Sequence, residues 1–356
     1  MTMDGARALG SLLGLAVGDA LGTTNEFKTL TAPSFPELAE GPVDDVVGGG
    51  PFSLPAGGVT DDTQMAIALA DELAAAGVVV PAAVTARYVV WREAAFDVGV
   101  QIGQVLDRVV AGTAAEHAGR AVWEERQRHP AGNGSLMRTA VIGVLVPAPA
   151  AARRAATFAD AAITHFDPRC QLACAAYNAS IAAAVLAPAG AMTAASLVAA
   201  AEQELAAAAA ELRARHPDLA VEIEAAAAAL AADLAAARAP DPDLYGGELH
   251  LHRSAGFVRV AFRLAYWELL HAPTFTAALI DVANRGGDAD TNAAIAGALW
   301  GAWAGLGAIP RAWIERTLRA PGLPTSRGSL HPRGLVEALR RMHGDDASVA
   351  AALAVF

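Results

Sequence analysis

Nowhere in this chain do apolar and polar residues alternate with the period of two that a half-buried strand needs. That absence constrains the fold more than any motif does. In its place stands a sequence rich in alanine and poor in β-branched residues, a composition that favours helix. Small and apolar residues take helical spacing from Arg7–Leu21 (RALGSLLGLAVGDAL) onwards, with Gly10, Gly14 and Gly18 at every fourth position. The default meaning of such spacing is close packing of a second helix. Hydrophobic residues make up 54% and charged residues 18% of 356, so a sizeable core is affordable in apolar surface. The length would admit two domains. The expected architecture is all-α, one compact multi-helix domain over residues 1–356, with a peripheral Ala-rich helical segment at about 191–245.

Two stretches with the same local grammar carry the chemistry. The first, GGVTDDTQMAIALADEL (57–73), runs from two glycines through Thr60, Asp61, Asp62 and Thr63 into a largely apolar helix. Asp61, with Gln64 three residues on, reads as the helix N-cap, and carboxylates suit that end of the macrodipole. Capping needs only one side chain, whereas four consecutive oxygen-bearing side chains stand here. Adjacent carboxylates flanked by hydroxyls make a half-site for a hard cation such as Mg²⁺. The second stretch, NRGGDADTN (284–292), again sets glycines before Asp288, Asp290 and Thr291 and leads into a helix of small apolar residues. Two half-sites, each of two Asp and one Thr, supply six oxygens, enough for a pair of divalent cations with bridging carboxylates and waters.

The remaining chain offers weaker signals. Asp19 precedes a glycine break at Gly22 and is read as fixing that turn by an internal hydrogen bond; Glu26 lies in the polar loop beyond. Residues 28–56 are rich in Pro and Gly and predict a long surface loop leading to Thr60. Helical patterns follow at 82–93 and 99–110, with Asp97 as N-cap candidate of the second, and residues 111–131 are polar. Gly132-Asn133-Gly134-Ser135 is strong turn chemistry, suited to positive φ and to aiming successive N–H groups at a phosphate before the next helix. A plain connector is the alternative. In Thr164–Arg169 (THFDPR), Asp167 and Pro168 suit a helix start. His165 just before them could meet a ligand, although a lone histidine is more often a core or surface residue. Residues 191–240, with two runs of five alanines, predict two long helices joined at His216-Pro217-Asp218. Further helices are expected at 256–270, 275–283 and from Leu335, with loops around 321–334.

Charge and composition exclude several classes. A net charge of −11 and the lack of a Lys/Arg block argue against a nucleic-acid surface. Backbone amides and metals can still hold a phosphate ligand in an acidic protein. Cys170 and Cys174, spaced i,i+4 in a predicted helix, read as reduced core residues. With no secretory leader pattern and no long apolar span, the expectation is a soluble, cytoplasmic, monomeric protein without a membrane partner.

Taken in order, GLAVGDALGTTNEF, GGVTDDTQMAIAL, GNGSLMR, THFDPRC and NRGGDADTNAAIAGALWGA resemble the ADP-ribosylglycohydrolase family. The resemblance runs from about residue 8 to about residue 315, with 191–245 poorly matched. It implies an all-α domain with a cleft holding two Mg²⁺ or Mn²⁺ ions on Thr60, Asp61, Asp62, Asp288, Asp290 and Thr291. It places Glu26 beside the scissile bond, with Asp61 and Asp290 as catalytic carboxylates. It gives Asn133, Gly134 and Ser135 the pyrophosphate, His165 a substrate contact, and Gly99 (in DVGVQI) a place on a ligand-lining loop. The activity implied is hydrolysis of the glycosidic bond between ADP-ribose and an acceptor, whether a protein side chain such as arginine or serine or a small molecule, with ADP-ribose as product. A catalytically silent ADP-ribose-binding regulator and a two-metal phosphohydrolase acting on another nucleotide are the competing expectations.

Overall fold

A computed structural model describes residues 2–30, 35–188 and 190–356. Helix α1 (Gly5–Gly22) starts at Asp4, whose side chain accepts from the Arg7 N–H, runs through Asp19 and ends at Gly22, where the glycine break is expected. After a 3₁₀ turn and a long irregular segment comes α2 (Asp61–Ala76). Its N-cap position is Thr60 rather than Asp61, and Gly77 ends it in the left-handed conformation. Helix α3 (Pro81–Ala94) begins on proline, and α4 (Val100–Val110) begins after Gly99, so Asp97 is not its cap.

The polar stretch 111–131 contains a helix the composition conceals, α5 (Ala115–Glu125). It buries only one narrow stripe (Ala115, Ala118, Gly119, Val122, Trp123) and leaves its charged faces in water. Helix α6 (Leu136–Leu145) is buried throughout, and α7 (Ala150–Thr164) leads to α8 (Pro168–Leu186). The expected cap of α8 is present, since Asp167 accepts from the Arg169 N–H at 2.8 Å. The alanine-rich stretch forms α9 (Ala194–Arg215) and α10 (Ala220–Ala237), joined by a 3₁₀ turn at Pro217–Leu219 as predicted. Then follow α11 (Val258–His271), α12 (Phe275–Arg285), α13 (Ala289–Ala304) and α14 (Arg311–Arg319). The segment expected as loops at 321–334 includes a small antiparallel hairpin, β1 (Leu323–Thr325) with β2 (Gly328–Leu330). Strands of three residues are too short to show a period. Helices α15 (Arg333–His343) and α16 (Ala347–Leu353) close the chain.

The centre of the molecule is the α1/α13 pair. A Cβ on Gly10, Gly14, Gly18 or Gly22 would overlap the backbone of Gly301, Gly297, Ala293 or Ala289, and one on Gly297 or Gly301 would overlap Gly14 or Gly10. The two backbones therefore touch along their length, which only glycine permits. Around this pair, α13 also packs on α6, α8, α11 and α12, while α8 carries α7, α9 and α10 on its other sides. Helix α2 lies against α6, α3 and α15. Cys170 and Cys174 are free and buried, as expected.

The segment 28–56 is less of a surface loop than its composition suggests, although residues 31–34 lie outside the described part. Phe35, Val43 and Val46 are buried. The Phe35 ring stands 4.6 Å from that of Trp267, with the Arg285 guanidinium 3.8 Å over its face. The Asn284 amide donates to the Val43 carbonyl at 2.7 Å. Among the described residues no helix is long and apolar enough to cross a membrane.

Candidate active site

Because α1 and α13 touch backbone to backbone, residues at the same level of the two helices are brought within side-chain reach. Asp19, one residue after Gly18, faces the start of α2. Its carboxylate accepts from the Thr60 N–H at 3.0 Å and the Thr63 N–H at 3.1 Å, and from the hydroxyls of Thr60 and Thr63 at 2.9 and 2.5 Å. Asp19 thus supplies from another helix the cap that α2 does not make for itself. The hydrogen-bonding role read from the sequence is present, but it fixes α2 rather than a local turn.

Glu26 does the corresponding work for α13. Its Oε2 accepts from the N–H groups of Ala289 and Asp290 at 2.6 and 3.2 Å, so a carboxylate caps that helix too. Phe27 N–H donates to the Gly287 carbonyl, and Gly287 N–H to that of Lys28, which pins the Glu26 segment to the turn before α13. Glu26 is 3% exposed, buried rather than standing on a solvated loop.

These two arrangements gather the acidic residues. Oxygens of Asp19, Asp62 and Asp290 lie within 4.8 Å of one another, as do those of Glu26, Asp288 and Asp290. Asp290 belongs to both groups. Burial raises all these carboxyls above their ordinary range. Glu26 goes up to about 9, with the nearby Asp288 and Asp62 charges adding to burial, and Asp19 to about 6 against the pull of its four hydrogen bonds. Burial first, and then the charges of neighbouring carboxylates, likewise push Asp61, Asp62 and Asp290 well up. Asp62 Oδ1 and Asp290 Oδ2 are buried with no hydrogen-bond partner. Orphaned anionic oxygens in a dry, crowded, all-oxygen cluster are what a hard divalent cation satisfies, and two triads sharing one carboxylate match a pair of them. The residues present fit the group.

The cluster opens into a cleft of about 440 Å³. Glu26, Asp61, Asp288, Asp290 and Thr291 line it, and so does Asp97, displaced from its expected capping role. Burial and the charges of Asp288 and Asp19 lift Asp97 to about 6. Asp62 and Thr60 are fully buried and do not line the cleft; the Thr60 hydroxyl lies 3.0 Å from Asp62 Oδ2. Gly99, Asn133, Gly134 and His165 line another part of the same cleft. The Asn133 amide donates to Asp288 Oδ2 at 2.7 Å, joining the turn to the acidic cluster.

The turn at 132–135 differs from its expected form in two respects. No residue in it has positive φ. Its glycines are needed for room, since a Cβ on Gly134 would stand 2.8 Å from His165 Cε1 and 3.0 Å from Ile102 Cδ1. Ser135 does not line the cleft but is buried against Cys174, 3.5 Å from its sulfur. The turn is held by the Asn133 N–H on the Gly256 carbonyl and by Arg138, whose Nη1 donates to the Gly134 carbonyl at 2.9 Å.

Arg138 is fully buried, paired with Asp160 at 3.0 Å, and donates at 2.9 Å to the Thr164 hydroxyl, which lies 2.8 Å from His165 Nδ1. The assignment that spends the Thr164 hydrogen on Nδ1 leaves Nε2 protonated. Burial and the Arg138 charge keep the imidazole neutral by driving its pKa well down. The sequence does carry a signal for Arg138, a single charge in an otherwise apolar helix, whereas nothing in it singles out Asp97 over a cap.

Comparison with known proteins gives one answer. A family model described as ADP-ribosylglycohydrolase matches residues 2–354. An ADP-ribosylarginine hydrolase, Tri1 of Pseudomonas putida, is 30% identical over 319 residues, covering 87% of this chain and 74% of that protein. The ADP-ribosyl-[dinitrogen reductase] glycohydrolase of Rhodospirillum rubrum is 29% identical over 312 residues, covering 87% of this chain and 90% of its own. A solved structure described as an ADP-ribosylglycohydrolase-related protein complex superposes with a TM-score of 0.63 at 27% identity, covering 99% of this chain and 98% of the other.

Proposed function

The chain belongs to the ADP-ribosylglycohydrolase family, hydrolases of ADP-ribosyl glycosidic bonds, and from that premise we propose that it cleaves the N-glycosidic bond between the ribose C1″ of ADP-ribose and an arginine side chain, with two Mg²⁺ or Mn²⁺ ions in the acidic cluster. The observation that carries this reading is the pair of carboxylate triads sharing Asp290 in a cleft whose adjoining wall is a close-packed glycine turn.

Thr60, Asp61, Asp62, Asp288, Asp290 and Thr291 would hold the ions. When bound, such ions supply Lewis-acid polarisation of substrate oxygens. Asp19, the remaining member of the first triad, would stand beside that triad's ion while its oxygens, accepting from Thr60 and Thr63, hold the start of α2 in place. In the turn at Gly132–Gly134 the Asn133 and Gly132 N–H groups are engaged by the Gly256 carbonyl and Gln101, so the Gly134 N–H is the one to meet the pyrophosphate, and His165, neutral with Nε2 protonated, adds a donor without adding a charge. The ribose then reaches the acidic wall. Departure of the acceptor builds oxocarbenium-like positive charge at C1″, which the carboxylates of Asp61, Asp97 and Asp290 face. Glu26 has Oε2 engaged by the start of α13 and its side chain against that of Asp290, and its carboxyl would exchange a proton beside the scissile bond.

The test is to assay ADP-ribosyl-arginine and ADP-ribosyl-serine peptides side by side, with and without EDTA. Release of ADP-ribose from the arginine conjugate, abolished by EDTA and restored by Mg²⁺ or Mn²⁺, is the expected result. Release that persists in excess chelator overturns the two-ion reading, and no release from either peptide overturns the substrate.

A further inference from the structure

Phe27 lines the cleft, Phe52 and Phe96 extend from it ring to ring, and the chemistry above uses none of the three. Phe27 follows Glu26, lines the cleft and is 66% exposed. Phe96 precedes Asp97 and is 44% exposed. Phe52 comes from the irregular segment before α2 and joins them, its ring 6.3 Å from that of Phe27 in an edge-on arrangement and 5.4 Å from that of Phe96. Three separate parts of the chain thus bring rings to one place without burying them.

The Phe27 backbone makes this costlier still. Its φ is +59°, a left-handed conformation that a bulky side chain adopts rarely and at a cost. The hydrogen bonds of Phe27 and Lys28 to Gly287 hold it there. An exposed aromatic cluster on a strained residue is a poor stabiliser of the apo fold, and its position beside a ligand cleft gives it another use.

What the rings could hold follows from charge. Among the described residues no Lys or Arg lines the cleft, while Glu26 and Asp97 flank the rings in sequence. Phe27 and Phe96 directly adjoin Glu26 and Asp97 in the chain, which sets the rings beside the acidic residues of the cleft, where the reading above has the acceptor leave. The faces of aromatic rings attract cations, and a guanidinium, planar and weakly hydrated, stacks on them better than any other side-chain group. We propose that Phe27, Phe52 and Phe96 form a platform for the guanidinium of the ADP-ribosylated arginine and thereby set acceptor selectivity. This rests on the functional reading above and deepens it.

The experiment compares wild type with Phe52→Ala, Phe96→Ala and Phe27→Gly, the last chosen because glycine accepts positive φ and so removes the ring without adding strain. Phe52→Leu keeps apolar bulk but no ring. For each, kcat/KM is measured on ADP-ribosyl-arginine and ADP-ribosyl-serine peptides, and ADP-ribose affinity by calorimetry. Loss of one ring is expected to lower kcat/KM on the arginine conjugate about 2- to 30-fold, mainly through KM, the range of a single cation–π contact. Phe52→Leu should behave as Phe52→Ala does. Activity on the serine conjugate, where present in wild type, and ADP-ribose affinity should stay near wild type. Equal losses on both conjugates, unchanged kcat/KM on the arginine conjugate, or a fall in ADP-ribose affinity would each overturn the platform while leaving the hydrolase reading intact. A wild type inactive on the arginine conjugate would overturn both.

Discussion

Helices α1 and α13 on one side and α9 and α10 on the other are both rich in alanine and leucine, with glycine only in the first pair, and they do different work. In the first pair small residues fall at every fourth position on both helices and face each other, so backbone meets backbone. In the second pair alanines fill every face. Ala208 and Ala226 are buried while Ala206 and Ala207 face solvent, and an exposed alanine contributes helix propensity and little else. Where small residues set an interhelical distance they also set where carboxylates meet. Asp19 and Asp290 reach one cluster because Gly18 and Gly22 let α1 lie on Ala293 and Ala289. The α9/α10 hairpin packs on α8 and α11 and contributes no residue to the cleft.

The sharpest way to break this contrast is to add side chains to each pair. Gly18→Val has nowhere to go except into the Ala293 carbonyl and should cost at least about 3 kcal/mol, measured as a shift in urea midpoint, or prevent folding. Ala207→Leu, on the exposed face of α9, should shift the midpoint negligibly; comparable losses for both would erase the distinction. Next come the carboxylates. Asp62→Ala and Asp290→Ala should each remove nearly all turnover with helicity retained, and the double variant should be no worse than either single one, because both lose the same centre. Additive losses would mean two independent sites.

Glu26→Gln is expected to lower kcat about 10²- to 10⁴-fold with ADP-ribose affinity largely retained. Glutamine still offers an oxygen to the Ala289 N–H, so the cap of α13 survives and the readout isolates proton transfer. An unchanged kcat would remove Glu26 from the chemistry. In the glycine turn, Gly134→Val should weaken ADP-ribose binding strongly by driving a methyl into His165, whereas Ser135→Ala should barely alter it; calorimetry separates the two. Thermal unfolding with and without EDTA tests the unpartnered oxygens of Asp62 and Asp290. Saturating Mg²⁺ at 100 times its dissociation constant should add about 2.7 kcal/mol, and a Tm indifferent to chelator would deny that these carboxylates need a cation.

Smallest of all, Ala207→Gly should cost about 1 kcal/mol of stability and leave turnover alone.

Local chemistry made much of this legible beforehand. The helices declared themselves through composition and spacing. The cap of α8 at Asp167, the turn between α9 and α10, and the packing role of Gly10, Gly14 and Gly18 all depend on neighbours within a few residues or on one repeated spacing, which a linear chain displays. The two acidic stretches could be paired on paper because they share a grammar. Helix α5 escaped because its buried stripe is too thin for composition to register. The hairpin at 323–330 escaped because three residues cannot show a period.

Other features depended on contacts that sequence distance hides. Thr60 rather than Asp61 occupies the cap position because Asp19, 41 residues earlier, takes over the capping bonds. Glu26 turns inward because the bare N–H groups of α13, more than 260 residues later, demand an acceptor. Asp97 is freed from its helix by Gly99 and finds the cleft, and Ser135 leaves it for a pocket against Cys174. The chain by itself determined that it would be helical and which oxygens could serve a metal, since propensity and donor chemistry are properties of residues. Which carboxylates share a site and which only hold a helix end was decided by the tertiary structure, because desolvation and unsatisfied backbone groups exist only once the helices are packed.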